Sequence, residues 1–289
     1  MRVLLAGLCT VDVVQRVSHF PAPGEKVQSL RVDVAAGGPA TNAAVTVAAL
    51  GAAATLVTVV GAHPLAALAH TDLIAYGVDV VDLDPARTDS PPVSAVVVRD
   101  SDGERTVVSR NAASGAPVAV PDLTDLTGLV REANAVLVDG HHPELALAVA
   151  RAARSLGVPV VLDAGSWKPV LEDLLPLVDV AACSAHFAMP GPGLRERGVP
   201  VVIRTAGPDP VRWSTAEDSG QVPVNDVEAR DTLAAGDVWH GALAHAVAAG
   251  GSSVDGWIRH ANAVAGERVR HVGPRSWTAA ISKLGQGVR

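Results

Sequence analysis

From Ala135 onward the chain repeats one unit: a short apolar run, then a stretch of helical length. The runs are Ala135–Val138, Val158–Leu162, Val178–Ala181 and Val199–Arg204, with helices expected over Pro143–Leu156 and near Pro169–Leu175. Runs this apolar are buried on both faces, and crossover helices make neighbouring strands parallel. The pattern therefore demands an α/β fold: a doubly wound, mainly parallel sheet flanked by helices. Ligands of such sheets bind outside the carboxyl ends of the strands. Asp139, His141, Asp163 and Thr205 fall on that rim. Earlier in the chain, Val3–Ala6 ends in Gly7, Thr55–Val60 precedes a helix over Pro64–Tyr76, and Val78–Leu83 follows as a strand. Val93–Val98 and Thr106–Ser109 flank the turn Asp100-Ser-Asp-Gly103 and read as a hairpin.

Composition narrows the partners. The 289 residues are 48% hydrophobic but only 3% aromatic, so Ala, Val and Leu must build the core. That length suits one large α/β domain or two small ones. A net charge of −7 with no basic block argues against nucleic acid and anionic membranes. Cys9 and Cys183 lack CxxC spacing and read as reduced thiols of a cytoplasmic protein. The chain opens directly on a strand, without a signal-peptide pattern, and no apolar run reaches bilayer-spanning length.

Chemistry concentrates in Asp231-Thr-Leu-Ala-Ala-Gly-Asp237, which leads into a helix carrying Val238, Trp239, Ala242, Leu243, Ala246 and Val247 at helical spacing. Ala234, Ala235 and Gly236 present almost no side chain, so a ligand can approach their backbone N–H groups. The first turn of the helix has unpaired donors at the positive end of its dipole. Asp237 sits in that turn. A carboxylate beside an anion site repels the anion, which suits a base that takes a proton from a nucleophile attacking phosphorus. The same residue also suits a plain helix cap. Far upstream, Gly37-Gly38 precede Pro39 and a helix that carries Asn42, Val45, Val47 and Leu50. This is a tight strand-to-helix turn, or a backbone surface that a sugar can touch.

Asp-Thr-x-Ala-Ala-Gly-Asp followed by Gly-Ala-Leu resembles the C-terminal signature of the ribokinase-like, or pfkB, carbohydrate kinases, and Gly-Gly-x-x-x-Asn resembles their N-terminal one. The resemblance covers nearly the whole chain and implies a single kinase domain over 1–289, with a small β lid from about 14–35 and 93–110. It makes Asp237 the catalytic base and Ala234, Ala235 and Gly236 an anion hole for the transferring phosphoryl group. It assigns sugar contacts to Asp12, Gly37, Gly38 and Asn42, and extends them to Arg110, beside Asn111, and to His141. A turn residue at Asp12, a solvent-facing Arg110 and a loop His141 are the alternatives.

On the nucleotide side the resemblance implies ATP along Thr205, Gly207 and Asn262. The segment Arg270–Gly273 closes the pocket and, with Asp231, suggests a monovalent-cation site for K+. Magnesium would bridge the phosphates, and an apolar lid face implies a homodimer. Three departures stand out. Gly61 is followed by Ala62 and His63 in place of an acidic pair, Cys183–Phe187 lacks Asn-x-x-Glu, and Pro210 replaces a glycine. Walker, dinucleotide, zinc-protease and hydrolase motifs are absent. The expectation is an ATP-dependent sugar kinase. The rivals are a nucleoside kinase of the same family and a sugar- or nucleotide-sensing protein with impaired turnover.

Overall fold

A computed structural model describes residues 1–110, 123–251 and 253–285. In chain order the first part comprises β1 (Arg2–Ala6), β2 (Thr10–Val17), β3 (Arg31–Gly37), α1 (Pro39–Ala49), β4 (Ala53–Thr58), α2 (Pro64–Ala75), β5 (Val78–Asp82), β6 (Val93–Arg99) and β7 (Arg105–Ser109). The second comprises α3 (Leu123–Arg131), β8 (Ala135–Val138), α4 (Pro143–Leu156), β9 (Val160–Ala164), α5 (Leu171–Leu174), β10 (Val180–Cys183), β11 (Val201–Ala206), β12 (Asp209–Ser214), β13 (Ser219–Val222), α6 (Ala235–Ala249), α7 (Val254–Val269) and α8 (Thr278–Ile281).

Nine of these strands form the main sheet, in the order β13-β12-β11-β10-β9-β8-β1-β4-β5. Every pair from β11 to β5 is parallel, and β12 and β13 add an antiparallel edge. The chain steps from β1 through β4 to β5, then restarts at β8 on the other side of β1. The strand order reverses there, which opens the crevice that doubly wound sheets use for ligands. Two strands start later than the apolar runs suggest. β9 begins after Pro159 and β11 after Pro200, because proline has no N–H to give a ladder. β10 begins at Val180 because Val178 closes a 3-10 turn by donating to Leu175. The periodicity gave no expectation of the β12–β13 hairpin or of α3.

β1 shows how the layers are built. Val3 and Leu5 face a core shared with α1, α6, α7 and α8, whereas Leu4 and Ala6 face one shared with α4 and α5. The shortage of aromatic residues is met by close approach. A side chain at Gly241 of α6 would stand 2.6 Å from the Ala43 carbonyl of α1, so the two helices meet nearly backbone to backbone.

The remaining strands form a second sheet, β3-β2-β6-β7. It starts at Thr10, earlier than expected, which places Asp12 on β2 instead of in a turn. Val14, Val96 and Val98 pack its inner face on Leu233, in the loop ahead of α6. The β6–β7 turn is bound to the same loop, because the Gly103 carbonyl accepts both the N–H and the hydroxyl of Thr232.

Candidate active site

The loop from Asp231 delivers α6 in an unusual conformation. Ala234, its N-cap, has φ +57° and is the one non-glycine residue with positive φ among those described. That conformation costs about 1 kcal/mol or more for a residue with a Cβ, and of the first-turn N–H groups that of Ala235 donates to the Thr232 carbonyl at 3.3 Å. No side chain caps them, and the space a Gly236 side chain would fill is empty. An anion therefore has free access to the helix N-terminus.

Asp237 stands in that first turn, and its Oδ2 accepts from Asn42 Nδ2 at 2.9 Å. Burial, with the negative charge of Asp163 adding to it, pushes the Asp237 carboxyl up to about 7. A proton acceptor works best with a pKa near the working pH, so this shift suits a base more than a cap. Asn42 is oriented in turn by Arg275, whose Nη1 donates to Asn42 Oδ1 at 3.2 Å and so leaves Nδ2 for Asp237. Arg275 is buried and also binds Asp72 Oδ2 at 2.8 Å and the Ala36 carbonyl at 2.6 Å. Arg275 and Asp72 were invisible as site residues in the sequence, because neither lies in a signature.

One turn along α6, His240 lies 3.1 Å from Asp163 Oδ2 at the end of β9, with both side chains buried. Burial opposes charge on each. The mutual attraction outweighs it, lowering the Asp163 carboxyl and raising the His240 imidazole. Asp163 thus stays ionised, and its charge reaches Asp237. Asp139 belongs to the scaffold instead. Its carboxylate accepts the N–H groups of Leu8 and Ala40 on one oxygen and of His141 on the other, joining β1, α1 and β8 at the switch point.

Of the expected sugar contacts, Asn42 bonds Asp237, and the charge of Asp12 also acts on the Asp237 carboxyl. Asp12 is partly buried, accepts from Thr10 Oγ1 at 2.6 Å, and is raised by burial. A side chain at Gly37 would collide with the Asp12 carboxylate, and one at Gly38, where φ is +97°, with the Leu8 carbonyl. His141 lies within electrostatic reach of Asp139, Lys168 and Asp163, and burial lowers its imidazole. Arg110 follows β7 and is exposed, while Asn111 lies outside the described residues.

Around the expected nucleotide, Thr205 Oγ1 donates to the Cys183 carbonyl, and Gly207 is exposed with φ +61°. Asn262 is buried and already engaged: it accepts from Trp239 Nε1 at 2.8 Å and donates to the Pro223 carbonyl at 3.1 Å. These two bonds fix its side chain between α6 and the segment after β13. Gly273 donates to Asp231 Oδ2 at 2.8 Å, and Leu233 N donates to Oδ1. Oδ1 also faces the buried guanidinium of Arg268 at 3.4 Å. Asp231, the residue expected beside a monovalent cation, thus faces a protein cation and two backbone amides. No cluster of three or more His, Cys, Asp or Glu that could hold a metal ion occurs among the described residues.

The model of the pfkB family of carbohydrate kinases matches residues 2–188 and 190–280. The chain belongs to that family. It is 30% identical over 252 residues to the ATP-dependent ribose-1-phosphate kinase of Halopiger xanaduensis, covering 83% of this chain and 82% of that one. It is 25% identical over 260 residues to the bifunctional ribokinase/ribose-5-phosphate isomerase A of Fructilactobacillus sanfranciscensis, where the match takes 84% of this chain but only 48% of the relative. The fold superposes on the crystal structure of a ribokinase-like protein from Agrobacterium tumefaciens with a TM-score of 0.82 and 28% identity, covering 100% and 97% of the two chains. This pfkB-family chain is therefore a kinase by descent. No helix among the described residues is long and apolar enough to cross a membrane.

Proposed function

We propose that this chain transfers the γ-phosphoryl group of ATP to a hydroxyl of a small sugar, with Asp237 as the general base. The observation that carries the reading is the Asn42–Asp237 pair beside an uncapped helix N-terminus. Asn42 and the backbone at Gly37 and Gly38 would hold the sugar, with Asp12 accepting two of its hydroxyls. Asp237 would take the proton of the attacking hydroxyl. The amides of Ala234, Ala235 and Gly236 would meet the charge that develops on the transferring group, so catalysis rests on positioning and charge stabilisation. Magnesium, when bound, supplies charge neutralisation on the phosphates.

A sensor that only binds has no use for a carboxylate pushed up to about 7 beside a phosphate site, and that favours turnover. A second reading concerns the acceptor, which could already carry a phosphate. Lys168 supports it, because its charge acts on both His141 and Asp163 at the same rim. The ribose-1-phosphate kinase named above acts on such a compound. An ATP-consumption screen over pentoses, pentose phosphates, hexoses and nucleosides tests both. Turnover with a sugar, abolished in Gly236→Val while sugar binding survives, is the expected outcome. ATP turnover with nucleosides alone would overturn the sugar assignment.

A further inference from the structure

Asp231 and the segment Arg270–Gly273 are the two stretches that the family resemblance assigns to a monovalent cation. They already enclose a positive charge, the guanidinium of Arg268. Its Nη1 donates to the His271 carbonyl at 2.8 Å and to the Asp231 carbonyl at 3.4 Å, and its Nη2 faces Asp231 Oδ1 at 3.4 Å. The side chain is 0% exposed and that of Asp231 is 2% exposed. One carboxylate and two carbonyls converging on a buried point is a ligand set for a hard cation, and here the last turn of α7 supplies that cation covalently. A second positive charge beside the guanidinium would be repelled at short range without water to screen it.

The location links this charge to the chemistry. Asp231 Oδ1 also accepts the N–H of Leu233, the residue before left-handed Ala234. Oδ2 accepts from Gly273, and the N–H groups of Arg230 and Asp231 both reach the Val269 carbonyl. The loop that shapes the anion hole is thus anchored through Asp231, and Arg268 balances the charge of that anchor. We infer that Arg268 is a tethered cation that takes the place of a monovalent metal ion, so that this chain works without K+. Its catalytic consequence rests on the kinase reading above. The ion site itself does not.

The test compares KCl with tetramethylammonium chloride at matched ionic strength. Tm and ADP affinity are read on the wild-type chain, with turnover added once an acceptor is known. Tm and ADP affinity should differ by less than about twofold in Kd and a few degrees between the salts. A K+-specific rise in Tm, or ADP binding about tenfold tighter in K+, would overturn the inference. ADP that binds in neither salt would instead strike the kinase reading, and Tm would still decide the ion question. Arg268→Ala should lose about tenfold or more in kcat in tetramethylammonium, with little change in acceptor KM, and recover with K+ or guanidinium. Arg268→Lys should keep most activity without either ion. An Arg268→Ala chain as active as wild type in tetramethylammonium would show that Arg268 positions nothing. Should that variant fail to fold, the wild-type comparison stands by itself.

Discussion

Asn42 and Asp237 lie 195 residues apart in the chain, and the side-chain amide of one donates to the carboxylate of the other at 2.9 Å. The bond joins the two sequence signatures into one centre and fixes which carboxylate oxygen stays free for a substrate.

Asp237→Asn keeps the shape of the side chain but cannot take a proton. Turnover should fall by roughly 10²–10⁴ with the fold intact. In the wild-type chain, kcat/KM should climb with pH and level off above about 7 as the carboxyl ionises. Because the folded-state pKa is raised above its ordinary value, the stability this group contributes is present at acid pH and lost as pH rises through about 7. Asp237→Asn should therefore melt higher than wild type above neutrality. Near-normal turnover in the folded variant would reduce Asp237 to a cap.

Arg275 holds the Asn42 amide in register while binding Asp72 and the Ala36 carbonyl. Arg275→Gln should lower kcat/KM for the sugar by roughly tenfold or more, through misorientation, and leave ADP affinity nearly unchanged. Paired kinetics and nucleotide calorimetry check this. An equal loss on both sides would point to general unfolding.

The outer face of the second sheet carries a row running across all four strands: Val34, Val13, Ala95 and Val108. Val34 is 49% exposed and Val108 72%. An apolar row of this kind usually marks a contact surface, so a homodimer through facing lids is expected. Light scattering should report a dimer for the wild-type chain and a monomer for Val34→Glu/Val108→Glu. A wild-type monomer at micromolar concentration would refute it.

His245 of α6 and His260 of α7 stack 5.3 Å apart, and each has one ring nitrogen buried without a partner. Burial, reinforced by His260, lowers His245 to about 4. A depressed folded-state value means that stability is full above 6.5 and is lost as pH falls toward 4. The wild-type melting temperature should drop over that window by roughly 5 °C more than that of His245→Leu. Parallel curves for the two chains would remove the histidine pair from acid lability.

Local pattern was enough for the frame. The alternation after Ala135 determined a parallel doubly wound sheet, because buried strands and crossover helices write their burial into adjacent residues. Both signatures were also legible, since a turn that exposes backbone N–H groups needs small residues at fixed places. Only the tertiary structure decided that Asp12 lies on β2, that Asn262 bonds Trp239 and Pro223, and that the Arg268 guanidinium is buried against Asp231. The pairs Arg275–Asn42, Asp163–His240 and Arg268–Asp231 span 37 to 233 residues. Hydrophobic periodicity records whether a residue is buried. It carries no information on which distant charge will be buried against it, and that pairing sets both the geometry and the pKa of the site.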